Sequence, residues 1–259
     1  MSRIYDALKK AEQERQGQAD PAAADPSAAG SAAEFASPPV ATEVPEQVWG
    51  VVPPGLLREL AGVRRIVEGH LEGRSRFAVG IMSSVPGEGA TTTVMGFART
   101  LVSDARLRTL LVDAESEQRR LSEAWVGAGA RGWSDLTSPD QVTSVIQATG
   151  LPGLKVLPFG NRVQASPAQL SELLVESVRR VAQQYEYVLF DLGAMLRTPT
   201  AHYLAGAMDG ILLVVHAGNT RREICQKAVE ELQKVEAQVL GVILNRRRYV
   251  IPEAVYKRI

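Results

Sequence analysis

Cysteine is almost missing: Cys225 stands alone in 259 residues, so no internal disulfide can form and a reducing, cytosolic setting is expected. Net charge is missing too, with 29 basic side chains balancing 29 acidic ones. That removes the electrostatic case for a nucleic-acid coat or a basic membrane-surface protein. No apolar run approaches the ~20 residues that cross a bilayer; the longest, such as Ile211–Val215, have the length of a strand. The first residues carry Arg3, Asp6, Lys9 and Lys10 with no apolar stretch behind them, unlike a secretory signal. Aromatics make up only 5%, yet 45% of residues are hydrophobic, which is ordinary for a globular core and too many for wholesale disorder. A cytoplasmic protein with no nucleic-acid partner and no membrane span of its own is expected.

Lys and Arg are absent from Ala19 to Pro54, where seven of the fourteen prolines fall together with five acids and many Ala and Ser residues. Such a stretch buries too little apolar area to offset its ordering entropy. Residues 18–54 are therefore expected to form a disordered tether. Before it, residues 1–17 place Ile4, Leu8 and Ala11 at i, i+4 and i+7 behind Ser2 as N-cap, the pattern of a short amphipathic helix. At about 15 residues such a helix needs a surface to pack on, either its own domain or a partner. No internal repeat is present.

The body, residues 55–248, alternates. Strand-length apolar runs fall at Phe77–Ser83, Thr109–Asp113, Leu154–Pro158, Tyr187–Asp191, Ile211–Val215 and Val239–Leu244. Helix-like stretches lie between them at Thr91–Ser103, Gln141–Gln147, Pro167–Gln184 and Thr220–Val235. Continuous apolar strands bracketed by helices predict an α/β fold with a parallel sheet covered on both faces. Sites in such sheets collect beyond the carboxyl ends of the strands.

After the first strand comes Ser84-Val85-Pro86-Gly87-Glu88-Gly89-Ala90-Thr91-Thr92. Set against the phosphate-loop pattern G-x-x-x-x-G-K-[ST], Ser84 takes the first glycine position, Ala90 the lysine and Thr91 the magnesium-binding hydroxyl. Gly87 and Gly89 permit the turn that aims N–H groups at a polyphosphate, and the helix N-terminus adds its dipole. Pro86, Gly87, Glu88, Gly89, Ala90, Thr91 and Thr92 are the candidate nucleotide-binding residues. The amine that normally follows negative charge onto the transferred phosphoryl is lacking. No lysine occurs between Lys10 and Lys155, and Arg99 and Arg106 fall down the following helix. No neighbour in the chain is expected to replace it; an arginine from a second copy is the remaining source. Asp113 and Glu115 past the second strand and Asp191 past the fourth supply carboxylates. Thr91, Asp113 and Asp191 are the candidate magnesium ligands.

These motifs resemble the bacterial tyrosine kinases of capsule and exopolysaccharide synthesis, relatives of the MinD/ParA ATPases. Ser83 to Gly89 is similar to the family's Walker A opening, Asp113-Ala114-Glu115 to its A′ motif D-x-D-x-R, and Val188–Asp191 to its Walker B. Ser2 to Ala11 and the end from Asn245 to Arg258 resemble autokinases of exosortase-linked clusters. The resemblance implies a P-loop NTPase fold, ATP or ADP with magnesium and no other cofactor, and Asp113 as base with Glu115 beside it. It further implies Tyr249 and Tyr256, in a basic tail at 249–259, as phosphoacceptors.

The chain departs from the family at Ala90, at Glu115 and Glu117 in A′ (with Arg119 and Arg120 near), and at Leu192-Gly193-Ala194, where T-P-P is usual. In the oligomerisation helix, Glu59 and Arg65 fit but Gly62 replaces an arginine. The reading is a pseudokinase partner of the cytoplasmic segment of a membrane polysaccharide co-polymerase, held at the inner membrane face through that partner, with a homo-oligomer allowed. Its nucleotide binding is weakened and its catalysis weak or absent. Two alternatives stay open: an active tyrosine autokinase, and a MinD/ParA-like positioning ATPase.

Overall fold

The computed structural model describes residues 54–126, 129–161 and 166–247. The expected N-terminal helix, nearly all of the tether, and the tail with Tyr249 and Tyr256 lie outside these residues.

In chain order the elements are α1 (Pro54–His70), β1 (Phe77–Ser83), α2 (Ala90–Ser103), β2 (Thr109–Asp113), α3 (Arg120–Val126), β3 (Gln147–Ala148), β4 (Leu154–Leu157), α4 (Pro167–Val181), β5 (Tyr187–Ala194), α5 (Pro199–Ala205), β6 (Gly210–His216), α6 (Arg222–Lys234) and β7 (Val239–Asn245). The strands form one sheet in the order β3-β4-β2-β5-β1-β6-β7. All pairings are parallel except the short β3–β4 edge.

The unbroken apolar runs are explained by the two layers that sandwich the sheet. Every residue of β1, β2 and β5 is buried, and alternate residues serve opposite cores. Phe77, Val79 and Ile81 pack with Leu60 and Val67 of α1 and Val94, Phe97 and Leu101 of α2. Ala78 and Met82 face the other way, with Leu170, Leu174 and Val178 of α4 and Leu232 of α6. Ser166 starts α4 with a capping box: its hydroxyl accepts from Gln169 N at 3.3 Å, and Gln169 Oε1 accepts from Ser166 N at 3.1 Å. Pro167 follows at the first helical position, where its missing N–H costs nothing.

The expectations are corrected at two places. Gln141–Gln147 is no α-helix but a 3-10 helix over Pro139–Ser144, followed by β3. Val142 and Val145 are both buried, and their spacing of three suits the three-residue turn; Gln147 is already paired with Val156. Strand β5 runs three residues past Asp191, through a register irregularity that sets Ala194 opposite Ser83. Among the described residues, no helix is long and apolar enough to cross a membrane.

Candidate functional site

The loop from Ser84 to Gly89 leaves the carboxyl end of β1 and turns into α2. Gly87 and Gly89 both adopt left-handed backbone, with φ of 88° and 101°. At Gly89 a Cβ would also lie 2.2 Å from Nδ2 of Asn245, so this position excludes any side chain twice over. No side chain caps α2, which leaves its leading N–H groups directed at the loop's mouth.

Glu88 has a place the sequence did not suggest. Its side chain turns inward and is 2% exposed. Oε2 accepts from Ser84 N at 2.7 Å and Val85 N at 3.0 Å, and Oε1 accepts from the Thr220 hydroxyl. The Glu88 carbonyl accepts from Asn245 Nδ2 at 2.8 Å. Glu88 therefore braces the loop and ties it to β6 and β7.

Over the loop lies a cavity of about 230 Å³, and Pro86, Gly87, Gly89, Ala90, Thr91 and Thr92 form its loop side. Glu115 and Gly193 stand across from them, and Arg120 and Arg246 also line the space. Among the described residues these two arginines are its cations, and no lysine reaches it. No neighbour in the chain was expected to replace the missing amine, yet Arg120 and Arg246 bring positive charge to the cavity wall. Arg246 follows β7, whose carboxyl end lies on the same edge of the sheet as that of β1. The rule that sites gather at carboxyl strand ends applies there as much as at β1, β2 and β5.

Asp113 and Asp191 are register partners on β2 and β5, both almost fully buried, and neither lines the cavity. Asp113 is engaged: Oδ2 accepts from Ser122 N at 2.8 Å and from the Ser122 hydroxyl, and Oδ1 accepts from Glu115 N at 3.1 Å. Ser122 Oγ in turn accepts from Phe159 N at 2.9 Å. Trp133 Nε1 donates to the Asp113 carbonyl at 2.7 Å, and its ring packs on Phe159 at 4.7 Å. Arg119 lies over the same Phe159 ring and donates to the Gly160 carbonyl, so its charge is committed away from the cavity. These supporting groups have no motif signature.

Asp191 is less provided for. Oδ1 accepts a long bond from Gly193 N at 3.4 Å, the Thr91 hydroxyl stands close to the carboxyl, and Oδ2 is buried without a well-formed hydrogen bond. Burial, then the neighbouring Asp113 charge, push its carboxyl up to about 7, against the opposing pull of the nearby Thr91 hydroxyl. Burial pushes Asp113 up to about 6, opposed mainly by the Ser122 hydrogen bonds. The Glu115 carboxylate accepts from the Thr198 hydroxyl at 3.2 Å and from Glu117 N at 2.9 Å. It presses so closely on Gly193 that a Cβ there would fall 1.8 Å from Oε2. The structure thus gathers Thr91, Asp113, Glu115 and Asp191 at one end of the sheet. Among the described residues, however, no three His, Cys, Asp or Glu side chains converge as a cation-holding cluster.

Comparison with known proteins fits this geometry. The family described as cellulose biosynthesis protein BcsQ matches residues 79–237. Tyrosine-protein kinase CpsD of Streptococcus agalactiae serotype III is 28% identical over 184 residues, covering 68% of this chain and 77% of that one. Succinoglycan biosynthesis transport protein ExoP of Rhizobium meliloti is 30% identical over 186 residues, 68% of this chain but 23% of that one. Among solved structures, the kinase domain of Escherichia coli tyrosine kinase ETK superposes with a TM-score of 0.64 at 18% identity, over 75% of this chain and 78% of that one. The Pyrococcus furiosus cell division ATPase MinD does so with a TM-score of 0.54 at 23% identity, over 71% and 79%.

Proposed function

This chain belongs to the family described as cellulose biosynthesis protein BcsQ and to the bacterial tyrosine kinases of exopolysaccharide and capsule biosynthesis, and we propose that it acts there as a nucleotide-holding pseudokinase. The observation that carries this reading is Ala90, in the lysine position of a loop whose left-handed glycines and helix start are otherwise in place. Losing that amine removes a charge-assisted contact that tightens as the phosphoryl group moves. Roughly 3–4 kcal/mol lost from the transition state slows transfer by two to three powers of ten.

The residues present suit a nucleotide with magnesium as a resident ligand. Backbone N–H groups of the loop and α2 would hold the phosphates. The Thr91 hydroxyl and Asp191, whose Oδ2 is buried without a well-formed hydrogen bond, would hold the ion. Magnesium, when bound, neutralises charge on the outer phosphates. The task of this chain's own residues is then to grip the ligand and shape the surface around it. The partner in this reading is the cytoplasmic segment of a membrane polysaccharide co-polymerase. The match to 23% of a succinoglycan transport protein supports it, because a domain of this kind is there one part of a larger transport chain.

A second reading, an active autokinase, draws on the two arginines in the cavity. It would use Asp113 as base, Glu115 beside it, and Tyr249 and Tyr256 as acceptors. One experiment separates the two: the full chain is incubated with ATP and magnesium, and both bound nucleotide and phosphotyrosine are measured. The pseudokinase reading expects stoichiometric nucleotide with turnover at background, and expects turnover to appear in Ala90→Lys. Phosphotyrosine at Tyr249 or Tyr256 that vanishes in Asp113→Asn would overturn it in favour of the autokinase.

A further inference from the structure

We infer that Arg246 is the cation that grips the phosphate chain of a nucleoside di- or triphosphate in place of the lysine missing at position 90. The inference rests on the nucleotide-holding reading above and adds the residue that makes such holding electrostatically workable.

The loop by itself offers only neutral donors, the Glu115 carboxylate lines the cavity, and Asp113 and Asp191 lie buried at the ends of β2 and β5. An anionic phosphate chain entering here would meet negative charge with no amine to offset it. Arg246 lines the cavity from the turn after β7, and its position is built. Its neighbour Asn245 donates through Nδ2 to the Glu88 carbonyl inside the loop at 2.8 Å and occupies the space a Gly89 side chain would need. The Asn245 carbonyl accepts from Ala217 N at 2.9 Å, and Asn245 Oδ1 accepts from Arg246 N at 2.8 Å. Arg246 then takes a left-handed backbone, φ 55°, a conformation disfavoured for a residue with a Cβ and often kept where function requires it. The loop and the arginine are therefore fastened through one asparagine. A guanidinium presents a planar fork that can meet two phosphate oxygens at once and never loses its proton.

Arg246 also borders a second cavity, with His216, Asn219 and Arg247. A role confined to that space would affect the rest of the ligand rather than its phosphates. Arg120 lines the first cavity from the start of the seven-residue α3 and has no comparable tie to the loop.

The test measures calorimetric affinities of the full chain for ADP and for AMP, without turnover. Arg246→Gln should weaken ADP binding roughly 10- to 100-fold, the loss expected for one charge-assisted contact, and leave AMP within about twofold. Ala90→Lys placed in that variant should recover most of the lost ADP affinity. Arg246→Gln binding ADP like the parent, or losing ADP and AMP in equal proportion, overturns the assignment while leaving nucleotide binding intact. Loss of ADP in Arg120→Gln but not in Arg246→Gln overturns it in favour of the other wall. A parent chain that binds neither nucleotide overturns the underlying reading instead, and this assignment with it.

Discussion

Asp209, at the start of β6, and Asp191, near the end of β5, are both buried to 2% exposure or less, yet their surroundings differ completely. At the amino end of the sheet, Asp209 Oδ1 makes an ion pair with Arg74 at 2.8 Å, and Oδ2 accepts from Ala78 N at 2.8 Å. At the carboxyl end, Asp191 has another carboxylate as its register neighbour and one oxygen with no well-formed hydrogen bond. The first is a clamp that closes the fold. The second is an unfavourable arrangement that the rest of the fold must support, and buried polar groups left in that condition concentrate at functional sites.

The comparison breaks most visibly if the clamp is opened. Arg74→Met removes the cation from the buried Asp209 carboxylate and should cost roughly 3–5 kcal/mol in chemical denaturation. A loss below about 1 kcal/mol would mean that the ion pair is not what holds Asp209 in place.

Asp191→Asn should have the opposite sign. Removing this poorly bonded charge should raise stability by roughly 1–3 kcal/mol at pH 8 in nucleotide-free protein, whereas Asp209→Asn should lower it. The pH profile sharpens the contrast. Burial pushes Asp191 and Asp113 up to about 7 and about 6, from an ordinary value of 3.8. Between about pH 4 and 7 these two carboxyls therefore hold more protons in the folded chain than in the unfolded one. Their contribution makes stability fall as pH rises through that window, and it is most favourable below it. The Asp191→Asn profile should be flatter; an unchanged slope would remove Asp191 as its source.

Gly193→Ala tests the crowding around the same aspartate. The added methyl meets the Glu115 carboxylate, and φ is 71°, so a loss of roughly 1–2 kcal/mol is expected. The smallest effect belongs to the amino end: Tyr187→Phe removes a hydroxyl that donates to Glu68 at 3.3 Å and should cost about 0.5 kcal/mol. An equal or larger loss than in Gly193→Ala would contradict the picture of strain gathered at the carboxyl end.

Strands such as β1, β2 and β6 were legible because each is an apolar run ending in a polar residue, the pattern that burial on both faces leaves. Strand β3, two residues long, carries no such run. The stretch 141–147 was misread because Val142, Val145 and Ile146 fit a helix of any pitch, and only their packing selects the tighter one. In the site, Gly87, Gly89 and the alanine at 90 could be read directly, since a loop's backbone needs and a missing amine are local facts. The inward turn of Glu88 was hidden, because its partner Thr220 lies 132 residues away. The engagement of Asp113 by Ser122 was hidden for a related reason: a serine nine residues on carries no signature of the bond it will make.

The amino-acid order alone settled that this is a layered α/β chain and that its phosphate loop carries no positive charge of its own, since both follow from near neighbours and period. Which cations look into that loop was decided only when β1 came to lie between β5 and β6, with β7 beyond. That strand order brings the ends of β1 and β7 to one edge, so Arg246 reaches a loop more than 150 positions earlier. Charge acts through space, and distance through space is a property of the folded sheet.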